Sequence, residues 1–98
     1  MKALFQLGQV VATRGVMALD PLPDLAILVS RHARGDWGDA LDPEDRITNN
    51  LAVVQGARII SAYTVKVGTQ DVKLWVITEA VGDDGLRAST CVLLPDEY

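Results

Sequence analysis

The chain predicts an α+β domain: a C-terminal meander of antiparallel strands, three or four in number, covered on one face by two helices. Three observations carry that expectation. Apolar residues recur at helical spacing between Asp24 and Gly56, the period changes from 3.6 to 2 after Gly56, and the turns "GTQD" and "VGDDG" split the remainder into three alternating runs. With 98 residues, the chain makes one domain, spanning 1–98, near the lower limit for a self-sufficient apolar core.

The opening "ALFQLGQVVATRG" places Phe5, Leu7, Val10 and Val11 on a short strand or extended arm, with "TRG" as its exit. Val16 to Leu19 begin a short helical segment that "DPLPD" interrupts, because each proline disfavours the helical region in the residue before it. From Asp24 the residues Leu25, Leu28 and Val29 follow i, i+3, i+4, with Ile27 widening the apolar face. Gly35 suits a left-handed C-terminal cap, and Arg31, His32 and Arg34 oppose the negative end of the dipole. "LDPEDR" starts the next helix: Asp42 caps, Pro43 takes the first position, and Glu44 and Asp45 meet the positive end. Ile47, Leu51 and Val54, at i, i+4 and i+7, form the stripe expected to face the core, and Gly56 ends the helix.

"ARIISAYTVKV" (57–67), "VKLWVITEA" (72–80) and "LRASTCVLLP" (86–95) are the three strands of the meander. Both faces of such a sheet are partly apolar and the helices cover one. The other is expected to expose Trp75, Ile77 or Tyr63 as a contact patch open to homodimerisation.

Composition narrows the function classes. The chain is 49% hydrophobic and 22% charged, as in an ordinary soluble domain. Its single cysteine, Cys91, forms no internal disulfide, and mid-strand it reads as a small hydrophobe. No apolar run approaches the ~20 residues of a membrane span and no signal-type segment opens the chain, so a cytoplasmic protein is expected. A net charge of −4 is wrong for neutralising phosphates or anionic lipid. Nucleic acid and membrane are therefore not expected as direct partners, and a protein with a basic surface is.

Two groups of residues compete for a functional role. In "RHARGDWGD" the residues His32, Asp36 and Asp39 have the chemistry of metal ligands, or of a general base with its orienting carboxylate. The same residues also read as architecture: His32 and Arg34 complement a helix end, Asp36 braces a turn, and Trp37 plugs the gap between helices and sheet. No second histidine, CxxC pair, P-loop, GxGxxG or GxSxG accompanies them, so no cofactor is expected. At the second hairpin Glu79 and Arg87 are placed to face each other as an ion pair.

Taken together, "HARGDWGD", "DPEDRITNN", "RIISAY", "LWVITEA" and "VLLPDEY" resemble, in order and spacing, a family of small proteins of bacterial plasmids and integrative conjugative elements. Its members are called plasmid-related proteins or labelled type I restriction endonuclease subunit M. The resemblance spans His32 to Tyr98 and, more loosely, "LGQVVAT". It marks kinship and implies no enzymatic activity: a DNA methyltransferase needs a cofactor-binding domain and a catalytic motif that 98 residues do not supply. The family's tight "EADRS" connection is longer here, "EAVGDDGLRAS", with Arg87 matching its arginine and Ala88 standing where serine is common.

The expected function is therefore non-enzymatic binding of a protein partner. Carriage on mobile elements implies an inhibitor or regulator of a host defence complex, such as a CRISPR effector or a restriction enzyme. The residues expected to meet that partner are Asp36, Trp37, Asp39, Trp75, Glu79 and Arg87. The alternative is a small metal-dependent hydrolase built on His32, Asp36 and Asp39.

Overall fold

In the computed structural model, which describes residues 3–98, the centre of the fold is the hairpin of β2 (Ile59–Val67) and β3 (Gln70–Thr78). The two strands pair from Ile59 opposite Thr78 to Val67 opposite Gln70. β4 (Ser89–Leu93) adds antiparallel to β3, completing the expected meander. A fourth strand, β1 (Gln9–Ala12), joins β4 in parallel, with Gln9 opposite Ser89 and Ala12 opposite Val92. The order is β1-β4-β3-β2 and the sheet is mixed, which corrects the all-antiparallel expectation at its edge. A parallel neighbour requires a long crossover, and the helices and hairpin between β1 and β4 provide one.

Alternation puts Ile59, Ser61 and Tyr63 on one face with Leu74, Val76, Thr78, Thr90 and Val92. On this face lie the one-turn helix α1 (Arg14–Met17) and α2 (Leu25–Ala33), and Val16, Leu28, Tyr63, Leu74, Val76 and Val92 close into the main core. The Asp24 carboxylate accepts the Ile27 N–H at 3.3 Å and starts α2, and Gly35, at φ +85°, ends it. Ile27, expected on the inner face, is 56% exposed.

α3 (Pro43–Gln55) does not lie on that face as expected. It runs along the outer edge of β2, its stripe faces solvent, and Ile47, Leu51 and Val54 are 63%, 53% and 85% exposed. Asn49 and Ala52 are buried instead. The reason is hydrogen bonding. A bare strand edge needs donors and acceptors more than it needs methyl groups. The Asn49 amide gives it both: Nδ2 donates to the Ile60 carbonyl at 2.6 Å and Oδ1 accepts the Ile60 N–H at 3.2 Å. Further along, Ala62 donates to the Trp37 carbonyl at 3.0 Å and accepts from the Ala40 N–H at 3.1 Å, while Asp39 Oδ1 accepts the Thr64 N–H at 2.9 Å. A Cβ on Gly38 would lie 2.0 Å from the Ala62 carbonyl oxygen, so only glycine lets the loop come this close. Below α3, Trp37, Ala52 and Ile59 make a second core with Phe5, Leu41 and Val53.

The expected patch on the other face is corrected too. Tyr63 lies on the helix-covered face and is wholly buried, and Ile77 is 5% exposed. Trp75 is half-buried, with the Tyr98 ring edge-on at 5.5 Å. A 3-10 turn (Pro95–Glu97) brings Tyr98 there. The Glu97 carboxylate accepts from Thr13 Oγ1 at 2.6 Å, from the Leu94 N–H at 2.9 Å and from the Gly15 N–H at 3.1 Å, and these bonds hold its pKa below the usual carboxylate range. The C-terminal tail is thus docked on its own domain. Among the described residues no helix is long and apolar enough to cross a membrane.

Reversing the expected roles of Asn49 and Leu51 has a measurable consequence. Asn49→Ala leaves the Ile60 groups without partners and should lower stability in urea by about 2 kcal/mol. Leu51→Ala, measured on dilute protein, should change it by less than about 0.5 kcal/mol, where a core leucine would cost about 2–5.

Candidate functional site

His32 projects from α2 onto the sheet and is wholly buried. Its Nδ1 lies 2.5 Å from Ser61 Oγ and its Nε2 lies 2.8 Å from Thr78 Oγ1. Thr78 Oγ1 is 2.7 Å from Thr90 Oγ1, which donates at 2.7 Å to the Leu7 carbonyl. That carbonyl can only accept, so the direction of the whole chain is fixed. Thr90 gives its proton to Leu7, Thr78 gives its own to Thr90, and His32 must donate through Nε2–H and accept the Ser61 hydroxyl at Nδ1. Every member is satisfied only while the imidazole is neutral. Burial, reinforced by the Arg87 guanidinium, pulls its pKa down to about 4.

The carboxylates expected beside it are engaged elsewhere. Asp36 pairs with Arg31 Nε at 2.7 Å and accepts the Gly38 N–H at 3.2 Å, and the Arg31 bond depresses its pKa most. Asp39 is depressed chiefly by the Thr64 N–H it accepts at the β2 edge. Among the described residues no group of three or more histidine, cysteine, aspartate or glutamate side chains is arranged to hold a metal. The loop between α2 and α3 is therefore a brace: the Asp36 carbonyl accepts the Tyr63 hydroxyl at 2.6 Å, and Arg46 donates to the Gly38 carbonyl.

Two of the residues expected to meet a partner lie inside the domain. Trp37 is 4% exposed, stacks on Phe5 at 6.2 Å and donates from Nε1 to Asn50 Oδ1 at 3.0 Å. Arg87 is 5% exposed and makes no ion pair with Glu79. Its guanidinium donates to three carbonyls: Ala57 at 2.8 Å, Glu79 at 2.9 Å and Ala52, near the C-terminal end of α3, at 3.1 Å. It thereby ties α3, the start of β2 and the end of β3 together. Asp36 and Asp39, on the loop between α2 and α3, and Glu79, just past the end of β3, remain at the surface.

Trp75 lines a mixed cleft of about 310 Å³ between α3 and the second sheet face. Asp42 and Asp45 stand on its helix side and Arg58 and Lys73 on its sheet side, none of them in an ion pair among the described residues. The larger depression, about 560 Å³, lies between β1 and α2. Leu7, Val10, Ala12, Leu25, Ala26 and Val29 line it, and among the described residues no ionisable group stands in its walls. Beside it runs the free edge of β1. Gln9 and Thr13 donate toward β4, to the Ala88 carbonyl at 3.1 Å and the Val92 carbonyl at 3.0 Å. Strand alternation then turns the N–H and C=O groups of Val10 and Ala12 outward, away from β4.

This edge was outside the expected site residues. Its signal in the sequence is the uncharged run of residues 3–13, which reads equally well as buried strand or as open edge. Compared with models of protein families, with curated proteins and with solved structures, the chain matches none.

The neutral histidine makes stability depend on pH. An unfolded chain takes up the imidazole proton near pH 6.5 and the folded one near 4, so stability is full above 6.5 and falls as pH drops between those values. The expected loss is about 3 kcal/mol by pH 4. Urea titrations at pH 7 and pH 4 should show this loss in the native chain. His32→Leu should lack that component, the carboxylate contribution being common to both, and should start about 2–4 kcal/mol less stable, because two hydroxyls lose their partner.

Proposed function

We propose that this protein acts without chemistry, as a binding module that takes up an extended segment of a partner protein as an added strand beside β1. The observation that carries the reading is an asymmetry between the two sheet edges. The β2 edge is closed by Asn49, Asp39 and the loop backbone, while β1 leaves Val10 and Ala12 unpaired beside an apolar, uncharged groove. Strand addition draws affinity from main-chain bonds and selectivity from side-chain pockets at alternate positions. Here the groove would receive every second residue of the incoming segment and would favour small aliphatic ones.

The positions of the titratable groups support binding over catalysis. The one imidazole is committed to the core, and burial, with the Glu97 and Glu79 carboxylates nearby, raises the Cys91 thiol pKa and so disfavours the thiolate. Partly exposed Val10 and Val11, 49% and 41% accessible, leave apolar surface beside the open edge. The resemblance to mobile-element proteins makes a host defence complex the first partner to test.

Val10→Pro separates binding from folding, because the lost N–H points away from β4 and proline is tolerated on such an edge. The variant should melt within a few degrees of the native chain. Tagged native protein should capture a stoichiometric partner from host lysate, and Val10→Pro should lose it by at least about tenfold. Capture that is indifferent to this substitution contradicts strand addition, and absence of any stoichiometric partner contradicts the binding reading.

A further inference from the structure

We propose that the cleft between α3 and the second sheet face binds a small zwitterion. The ligand class is a guanidinium or ammonium group joined to a carboxylate a few bonds away. The cleft's volume, about 310 Å³, lies at the lower end of the range for small-molecule sites. Its floor is Ile60 and Ala62 of β2 with Trp75 of β3, which stands opposite Ala62. Asp42, at the start of α3, and Asp45, three residues on in its first turn, form one flank. Arg58 precedes β2 and Lys73 lies opposite Thr64, so the two cations stand at opposite ends of the floor.

The charges in the cleft balance: two carboxylates stand against one guanidinium and one ammonium, and among the described residues none of them pair. A polyphosphate would meet the carboxylates, and a polycation would meet Arg58 and Lys73. A zwitterion satisfies both signs at once. The Asp42 carboxylate is also unengaged by its own helix. Thr13 and Asp24 cap theirs through the side chain, whereas Asp42 starts α3 without a side-chain bond to it. A cation placed between Asp42 and Asp45 also meets the Trp75 indole, whose ring quadrupole attracts it. Tyr98 braces that indole edge-on at 5.5 Å and lies under the Arg58 guanidinium at 5.5 Å. The aromatic floor and the group that takes the ligand's carboxylate are thus held together, and the guanidinium offers a planar fork to it. The β2 backbone beside the cleft is already bonded, Ile60 to Asn49 and Ala62 to Trp37 and Ala40. Recognition therefore rests on side chains, which suits a discrete molecule rather than an extended segment of the kind proposed for β1.

The site is separate from the β1 edge and stands or falls independently of strand addition there. The probe is γ-guanidinobutyrate, with butylguanidinium and butyrate as its two halves. Titrated into the isotope-labelled full chain, it should move the Trp75 indole N–H signal in NMR saturably, with a Kd of roughly millimolar or below. The Trp37 indole, buried and bonded to Asn50, should stay still and serves as the internal control. Each half should bind at least about fivefold more weakly than the whole. Asp45→Asn and Arg58→Gln, both at exposed positions, should keep the melting temperature within a few degrees. Each should weaken the zwitterion at least about fivefold. A Trp75 signal that does not move overturns the proposal. So does either half binding as tightly as the whole, and so does binding that withstands either substitution.

Discussion

The fold depends on a buried, one-directional line of hydrogen bonds that runs from Ser61 through His32, Thr78 and Thr90 to the Leu7 carbonyl. It joins β2, α2, β3, β4 and the N-terminal arm, five segments that are distant in sequence. Each hydroxyl in it can donate once, and the terminal carbonyl cannot donate, so reversing any one member leaves a buried group without a partner. Apolar packing among Leu28, Tyr63, Leu74, Val76 and Val92 supplies most of the driving force for collapse, but it tolerates slippage. The polar line does not. It fixes which residue of α2 faces which residue of the sheet, and it requires a neutral imidazole.

That requirement explains why the motif with the most chemistry is the part of the molecule with the least freedom to react. Asp36 is held by Arg31, Asp39 by the β2 edge, and Trp37 by Asn50 and Phe5. The two carboxylates thereby secure the Gly38 and Thr64 N–H groups, which would otherwise stand open. The domain is closed along β2 by polar groups and left open along β1, where residues 3–13 bring no charge to guard the edge. Edges are closed because open ones pair indiscriminately. Keeping one open, next to a groove without ionisable walls, is the arrangement on which the binding proposal rests.

Much of the architecture was legible in the sequence. The switch from a period of 3.6 to 2 after Gly56 located the meander, and Asp24, Gly35, Pro43 and Gly56 bounded the two longer helices, because caps and turns are local and carry their own signatures. Other features were not legible. Ile47, Leu51 and Val54 have the spacing of a core face, and spacing alone cannot tell a stripe that meets its own domain from one that faces solvent. Asn49, a poor helix residue, was in fact the contact that placed α3, since its value lies in a strand edge visible only in three dimensions. Arg87 was similar: charge suggested a surface pair, whereas the guanidinium satisfies three carbonyls that no local pattern reveals. The parallel pairing of β1 also lay beyond local signals, because direction across a long crossover is set by the helices between.

The central claim is that His32 is a neutral structural link with a fixed proton position. Long-range nitrogen–proton correlation NMR of the labelled imidazole reads this directly. The account predicts a single Nε2–H tautomer across neutral pH, exchanging slowly with solvent and titrating near pH 4. An Nδ1–H tautomer, or a titration close to the ordinary value of 6.5, would contradict it.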